Sequence, residues 1–321
     1  MIVLDAEQTD RLLPYRELIE EIDRLFQEPA ETLTLPKRMH LSLANEGVLL
    51  VMPACDRQIG LTKLVTVHPL NMKKGLPSVQ GDVIVFDAAT GRRLLLLDGP
   101  TLTAKRTAAV TAYAAEKLCP NPNGALLLVG CGVQAAAHLA AFFELFGTRQ
   151  VFVHSRNKQN VAAFCKLQQH ELQKRDPQTA CLITPAESLK EVLPKVSMIV
   201  TATTSSLPVL PDDLPPKTFV AAVGSYRPDC RELSESLLLK GTLADSLLVV
   251  DTEAALVEAG EFVLSQLDLS QVRSLREVGN LPAIDRSLVI FKSVGHALWD
   301  LAAVRVAVQL HGADAESKCK P

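Results

Sequence analysis

The hydrophobic rhythm of the chain changes near residue 120. Before that point, short apolar stretches are separated by polar and turn residues: Met1 to Leu4, Leu33 to Leu41, Val48 to Ala54, Gly60 to Val67, Val79 to Asp87 and Arg93 to Asp98. Such stretches predict strands. Asp87-Ala-Ala-Thr-Gly91, between the last two, predicts a hairpin with glycine at the turn. Tyr15 to Phe26 and the alanine-rich Thr101 to Leu118 have helical spacing. Cys119-Pro-Asn-Pro-Asn-Gly124 is a breaker cluster and marks a domain boundary. Beyond it, strand-length apolar runs at 125–129, 150–154, 180–184, 197–201, 218–223, 247–250 and 287–291 alternate with helix-like segments. Runs such as Met198-Ile-Val200 and Phe219-Val-Ala-Ala-Val223 lack two-fold alternation, as strands buried on both faces do. The pattern predicts a parallel sheet wrapped by helices. The last helical segment, about Gly295 to Leu310, is expected to return to the first block, with a frayed polar tail after His311.

Composition narrows the function classes. The chain has 321 residues, 48% of them hydrophobic and 21% charged, enough for two domains with sizeable cores. A net charge of −3 argues against a nucleic-acid partner. No apolar run reaches the ~18 residues of a membrane span, and the N-terminus carries no signal-peptide pattern, so a cytoplasmic protein without a membrane partner is expected. The seven cysteines are dispersed and read as reduced thiols. The seven histidines show no metal-ligand spacing, so no metal is expected.

The first strand of the second block, Ala125 to Val129, runs into Gly130-Cys-Gly132-Val133-Gln134-Ala135, and a helix-like segment follows to about Phe146. Strand, glycine turn and helix in that order predict a dinucleotide site, the other reading being a nucleotide-free turn of the same shape with a solvated Arg156. Gly130 permits the tight turn, Gly132 lets the backbone approach a pyrophosphate, and Ala135 allows close helix packing. About twenty residues on, the second strand ends in Ser155-Arg156-Asn157, where an NAD site usually carries a carboxylate. Arg156 offers a planar cation to a 2′-phosphate, with Ser155 and Asn157 as neutral donors, so NADPH is the expected cofactor and NADH a possible one.

Substrate chemistry should come largely from the first block, which offers Arg38, Lys63, Lys105 and Arg106. Lys63 interrupts an apolar, threonine-rich strand, where a charge is costly unless paired. Read functionally, Arg38, Lys63 and Arg106 converge on a carboxylate; read singly, each is a solvated edge or helix-end cation. In Gly224-Ser-Tyr-Arg-Pro-Asp229-Cys-Arg-Glu232-Leu, Asp229 serves either as a general acid or as an N-cap for a helix starting near Arg231. The acid role requires a pKa raised by burial, or a proton supplied by Lys63.

Taken together, Leu61-Thr-Lys63, Asp87-Ala-Ala-Thr-Gly91, Asp98-Gly-Pro-Thr-Leu-Thr-Ala-Lys-Arg106, Gly130-Cys-Gly-Val-Gln-Ala135, the Gly224–Leu233 loop and Phe291-Lys-Ser293-Val-Gly295 resemble the ornithine cyclodeaminase/mu-crystallin family over nearly the whole chain. The resemblance implies an α/β protein: a Rossmann NAD(P)-binding domain over 119–295, and an α+β substrate and dimerisation domain over 1–118 to which 296–321 returns. It implies substrate binding by Arg38, Lys63 and Arg106, with Arg106 also near the cofactor. It also implies adenosine-ribose contacts from Ser155, Arg156 and Asn157, nicotinamide-side contacts from Thr203, Val223 and Ser293, and a homodimer. Ornithine cyclodeaminases carry an aspartate where this chain has Tyr226, and its Arg-Pro-Asp229 form is similar to the ketimine reductases. The expected activity is therefore NAD(P)H-dependent reduction of a small cyclic imino acid, with Lys63 and Asp229 as catalytic residues. Ornithine cyclodeaminase, alanine dehydrogenase and an NADPH-holding binding protein remain as alternatives.

Overall fold

The computed structural model describes residues 1–178, 180–278 and 286–318. In chain order its elements are β1 (Ile2–Val3), α1 (Ala6–Arg11), α2 (Tyr15–Gln27), β2 (Met39–Ser42), β3 (Val48–Cys55), β4 (Ile59–Val67), β5 (Val79–Asp87), β6 (Arg93–Asp98) and α3 (Gly99–Leu118). Then come β7 (Leu126–Val129), α4 (Val133–Phe146), β8 (Gln150–His154), α5 (Lys158–Arg175), β9 (Leu182–Pro185), α6 (Leu189–Val192), β10 (Met198–Thr201), β11 (Thr218–Ala222) and α7 (Glu235–Gly241). The chain continues through β12 (Ser246–Val250), α8 (Ala255–Glu258), α9 (Gly260–Val263), β13 (Arg273–Ser274), α10 (Leu275–Val278), β14 (Leu288–Lys292) and α11 (Ala297–Lys318). Two compact units result, residues 1–107 with 296–321, and residues 108–295.

The first unit is built on a six-stranded sheet in the order β1-β6-β5-β4-β3-β2, antiparallel except for β1 beside β6. Along β4, Ile59, Leu61, Lys63 and Val65 are buried. Successive side chains in a strand point to opposite faces, so the period of two carries Lys63 to the core side with its apolar neighbours. Helix α11 packs on α2, β3 and β4. Helix α2 buries Tyr15, Leu18, Ile19, Ile22 and Leu25, an i, i+3, i+4, i+7 stripe. Trp299 of α11 is fully buried, edge-on to Phe26 with ring centroids 5.6 Å apart.

The second unit holds an all-parallel sheet in the order β13-β12-β14-β11-β10-β7-β8-β9. From β7 the chain first builds outward through β8 and β9, then returns to place β10 and β11 on the other side. The crevice beyond the carboxyl ends of β7 and β10 is therefore the switch point, where open α/β sheets bind ligands. The described residues of β7, β10, β11 and β14 are buried throughout, as the unbroken apolar runs require.

Several expectations change. The strand expected over Leu33–Leu41 is confined to Met39–Ser42, with Thr34 making only an isolated bridge to Cys55. Pro36 lies between them, and proline has no N–H to give a ladder. Helix α1 was not anticipated, although Asp5 and Gln8 form a reciprocal capping box at its start. The units divide inside the continuous helix α3, at Thr107, rather than at the 119–124 breaker. Helix α11 runs to Lys318 instead of fraying at His311; residues 319–321 lie outside the described residues. Among the described residues, no helix is long and apolar enough to cross a membrane.

Candidate active site

In the first unit, Lys63 faces Met52 of β3 and Val83 of β5 in register, both apolar and buried. Lys63 is 1% exposed, and its ammonium finds its partner on α11. Nζ stands 2.8 Å from Oδ1 and 2.7 Å from Oδ2 of Asp300, a carboxylate with no solvent exposure. Arg106 of α3, itself buried, brings Nε to 3.1 Å from the same carboxylate. Two buried cations thus share one carboxylate, and Arg106 Nη1 has no hydrogen-bond partner among the described residues. Burial lowers the Lys63 pKa to about 8; the Asp300 charge opposes that drop, while Arg106 and Arg38 add to it. Burial also raises the Asp300 carboxyl, but Lys63 and Arg106 outweigh it and hold it below its ordinary range.

Arg38 directly precedes β2, and its charge is felt at Lys63. Of the three cations proposed from sequence, Lys63 and Arg106 meet at Asp300, and Arg38 acts on Lys63 through its charge. Lys105 does not join them: it pairs with Asp10 at 3.2 Å and lies over the Tyr15 ring.

Asp229 needs correction. Its side chain is 59% exposed and paired with Arg227, whose hydrogen bonds hold the carboxyl below its usual range. Of the two conditions for a general acid, a pKa raised by burial is not met. The capping alternative fails too, because the next helix, α7, starts at Glu235 with Ser234 as its cap.

In the second unit, the cofactor candidates gather at the carboxyl ends of neighbouring strands. Gly130 ends β7 with φ +118°, and a Cβ there would stand 2.4 Å from the Ala202 carbonyl oxygen. Nothing lies within 4 Å of a Cβ built on Gly132, so the turn is open on its outer side. Helix α4 starts at Val133, where the N–H groups of a first turn have no partner within the helix. Val133 is exposed, Ala135 is buried, and the Gln134 side-chain oxygen is buried without a hydrogen-bond partner among the described residues. His138 anchors this turn from below, its ring nitrogens 2.7 Å from the Gln134 carbonyl oxygen and 2.9 Å from Thr111 Oγ1. Burial lowers its pKa to about 4, so the ring is neutral. A narrow glycine turn, an open outer face and a free helix N-terminus fit a dinucleotide pyrophosphate.

At the end of β8, Arg156 is exposed, with no ion pair or hydrogen bond among the described residues. Asn157 caps α5 by accepting from the Asn160 N–H at 3.1 Å, which leaves its amide NH2 as the donor side. Ser155 is partly buried between β8 and Arg156.

At the ends of β10, β11 and β14 lie Thr203, Val223 and Ser293. Thr203 donates from N and Oγ1 to Glu232, at 2.7 and 2.8 Å, and Gly224 N donates to the other Glu232 oxygen at 2.8 Å. Burial raises the Glu232 carboxyl, against the pull of Lys292. Lys292 reaches the Ser225 carbonyl at 2.8 Å and Glu261 at 3.2 Å. Ser293 donates to Asp251 at 2.7 Å. These buried charged groups, with Asp300, are candidates that sequence reading did not single out. The available signal was a lone charge at the end of an apolar run, as in Leu288-Val-Ile-Phe-Lys292 and Leu247-Leu-Val-Val-Asp251.

The ornithine cyclodeaminase/mu-crystallin family model matches residues 1–310. The chain belongs to this family. Among family relatives it is 36% identical over 307 residues to Delta(1)-pyrroline-2-carboxylate reductase 1 of Burkholderia multivorans, covering 95% of this chain and 94% of that one. It is also 36% identical to the Delta(1)-pyrroline-2-carboxylate/Delta(1)-piperideine-2-carboxylate reductase of Azospirillum brasilense, over 95% of this chain and 94% of that one. In structure it is similar to the Thermococcus litoralis Delta(1)-pyrroline-2-carboxylate reductase solved with NADH and L-proline. The TM-score is 0.86 at 28% identity, covering 97% of this chain and 98% of that one.

Proposed function

We propose that this member of the ornithine cyclodeaminase/mu-crystallin family is a cytoplasmic ketimine reductase. It would reduce the C=N bond of Δ1-pyrroline-2-carboxylate to give L-proline, with Δ1-piperideine-2-carboxylate as a second substrate and NADPH preferred over NADH. The observation that carries the reading is the pairing of two buried cations, Lys63 and Arg106, with a single carboxylate, Asp300. An unbalanced buried cation is costly, and a substrate carboxylate would supply the missing anion. The substrates named for the relatives carry such a carboxylate beside the imine carbon.

Arg106, Arg38 and Lys63 would orient the substrate through its carboxylate. Gly130, Gly132, Val133, Gln134 and Ala135 would hold a bound dinucleotide at its pyrophosphate, and Thr203, Val223 and Ser293 at its nicotinamide, which would supply the hydride for the imine carbon. The imine nitrogen must gain a proton as the carbon gains hydride. Lys63 suits that task, because a group of pKa about 8 is protonated at neutral pH yet releases its proton readily. Asp229 carries no proton there at neutral pH, being held low by Arg227.

The test is nicotinamide oxidation with Δ1-pyrroline-2-carboxylate, run beside NAD+ with L-ornithine. Rapid NADPH consumption with silence on ornithine is expected. Proline formation from ornithine would refute the reading and show that a cyclodeaminase can operate with Tyr226 in place of the aspartate.

A further inference from the structure

Asp300 sits in the apolar run Ala297-Leu-Trp-Asp-Leu-Ala-Ala of α11, where a charge is costly unless paired. It is fully buried, and both of its oxygens are turned to Lys63 while Arg106 closes on Oδ1. We propose that Asp300 is the positioning residue of the substrate half: it keeps the Lys63 ammonium charged and aimed beside Arg106, ready to hold a carboxylate and give up a proton. The inference rests on the reductase reading above.

The charges around Lys63 give the sign. Met52 and Val83, its neighbours in the sheet, do not titrate. Arg106 from α3 and Arg38 from the approach to β2 disfavour a second cation, and burial works the same way. Asp300 opposes all three. His296, just before α11, acts on Asp300 and favours its ionised form. Without the Asp300 charge, every remaining influence pushes Lys63 toward the neutral amine. A neutral Lys63 can neither bind a carboxylate through charge nor protonate the imine. Loss of Asp300 should therefore move the alkaline limit of the enzyme toward acid. If Lys63 worked instead as a neutral base, the same change would extend activity to lower pH.

The experiment measures kcat/KM for Δ1-pyrroline-2-carboxylate with NADPH from about pH 6 to about pH 10, beside calorimetric binding of L-proline over the same range. The native enzyme should lose both above a midpoint near 8, the Lys63 value. Lys63→Arg keeps a permanent cation on Asp300 and should show no alkaline limb in L-proline binding. Asp300→Asn should shift the limb down by about one pH unit or more, losing about fivefold or more at pH 8 and recovering on acidification. A merely structural loss would not recover in that way. A native profile without the limb, or an Asp300→Asn limb that is unmoved or displaced to alkaline pH, overturns the proposal. Should Asp300→Asn not fold, the native and Lys63→Arg profiles decide: a limb present in the first and absent in the second supports the proposal, and any other pair overturns it. Failure of the reductase reading looks different, since the native enzyme would then consume no NADPH with the imine at any pH. If it also binds no L-proline, both readings fall together.

Discussion

A charged residue inside an apolar stretch is the feature of this chain that carries most meaning at the scale of single residues. Lys63, Asp300, Lys292 and Asp251 each interrupt or end a run of buried hydrophobic positions, and each is buried against a partner of opposite charge or a ring of donors. Asp229 looked equally suggestive in the sequence, yet it lies in solvent against Arg227. Arg156 is the opposite case, an exposed cation that its own chain leaves without a partner among the described residues. The proposed NADPH preference rests on it. Arg156→Ala should raise KM for NADPH by about tenfold to a hundredfold, the worth of one charge-assisted hydrogen bond, and leave KM for NADH nearly unchanged. Steady-state kinetics with the two cofactors checks this, and equal losses with both would remove Arg156 from the 2′-phosphate.

Among the elements, α11 is the one whose placement matters most to the site, because it delivers Asp300 to β4. Its hold on the first unit is partly electrostatic. Arg305 reaches Glu28 at 2.6 and 3.0 Å, Glu21 at 3.1 Å and Asp56 at 2.6 and 2.7 Å, joining α11 to α2 and to the turn before β4. The three carboxylates raise the Arg305 pKa, outweighing the effect of its partial burial. Removing the cation would leave three carboxylates facing one another. Arg305→Met should destabilise the protein by about 2–4 kcal/mol, toward the lower end for a broken buried pair because the guanidinium keeps some solvent. A clear fall in the thermal midpoint would show it; an unchanged midpoint would mean that packing around Trp299 alone holds α11. The short α1 and the truncated β2 were the elements least readable from sequence. Their ends depend on a capping box and on Pro36, signals of a few residues that hydrophobic periodicity does not register.

For the whole molecule, two units with different sheets share one chain, and β2 forms an open edge of the first sheet. Met39 and Leu41 on that strand are exposed, and so is Leu43 beyond it. An open strand edge with exposed apolar residues invites pairing, and the homodimer that the family resemblance implies would cover it. Light scattering should give about twice the 34.8 kDa of the chain. Leu41→Lys should shift the mass toward that of the monomer, whereas a native protein already at monomer mass would remove the dimer from the reading.

Much of this was present in the order of the residues. The alternation of strands and helices after residue 124, the glycine turn at Gly130, and the Ser155-Arg156-Asn157 end of the second strand are set by near neighbours in the chain, so local pattern sufficed to read them. The three cations were visible as residue types, and the family resemblance grouped them, but their spacing alone left each open to a solvated reading. What joins Lys63 and Arg106 is Asp300, separated from Lys63 by 237 positions. No local signal pairs two charges so far apart, since only folding decides which buried groups meet. Desolvation is set in the same way. It lowers Lys63, raises Glu232 and leaves Asp229 in water, because the field and solvent at a side chain belong to everything packed around it and not to its place in the sequence.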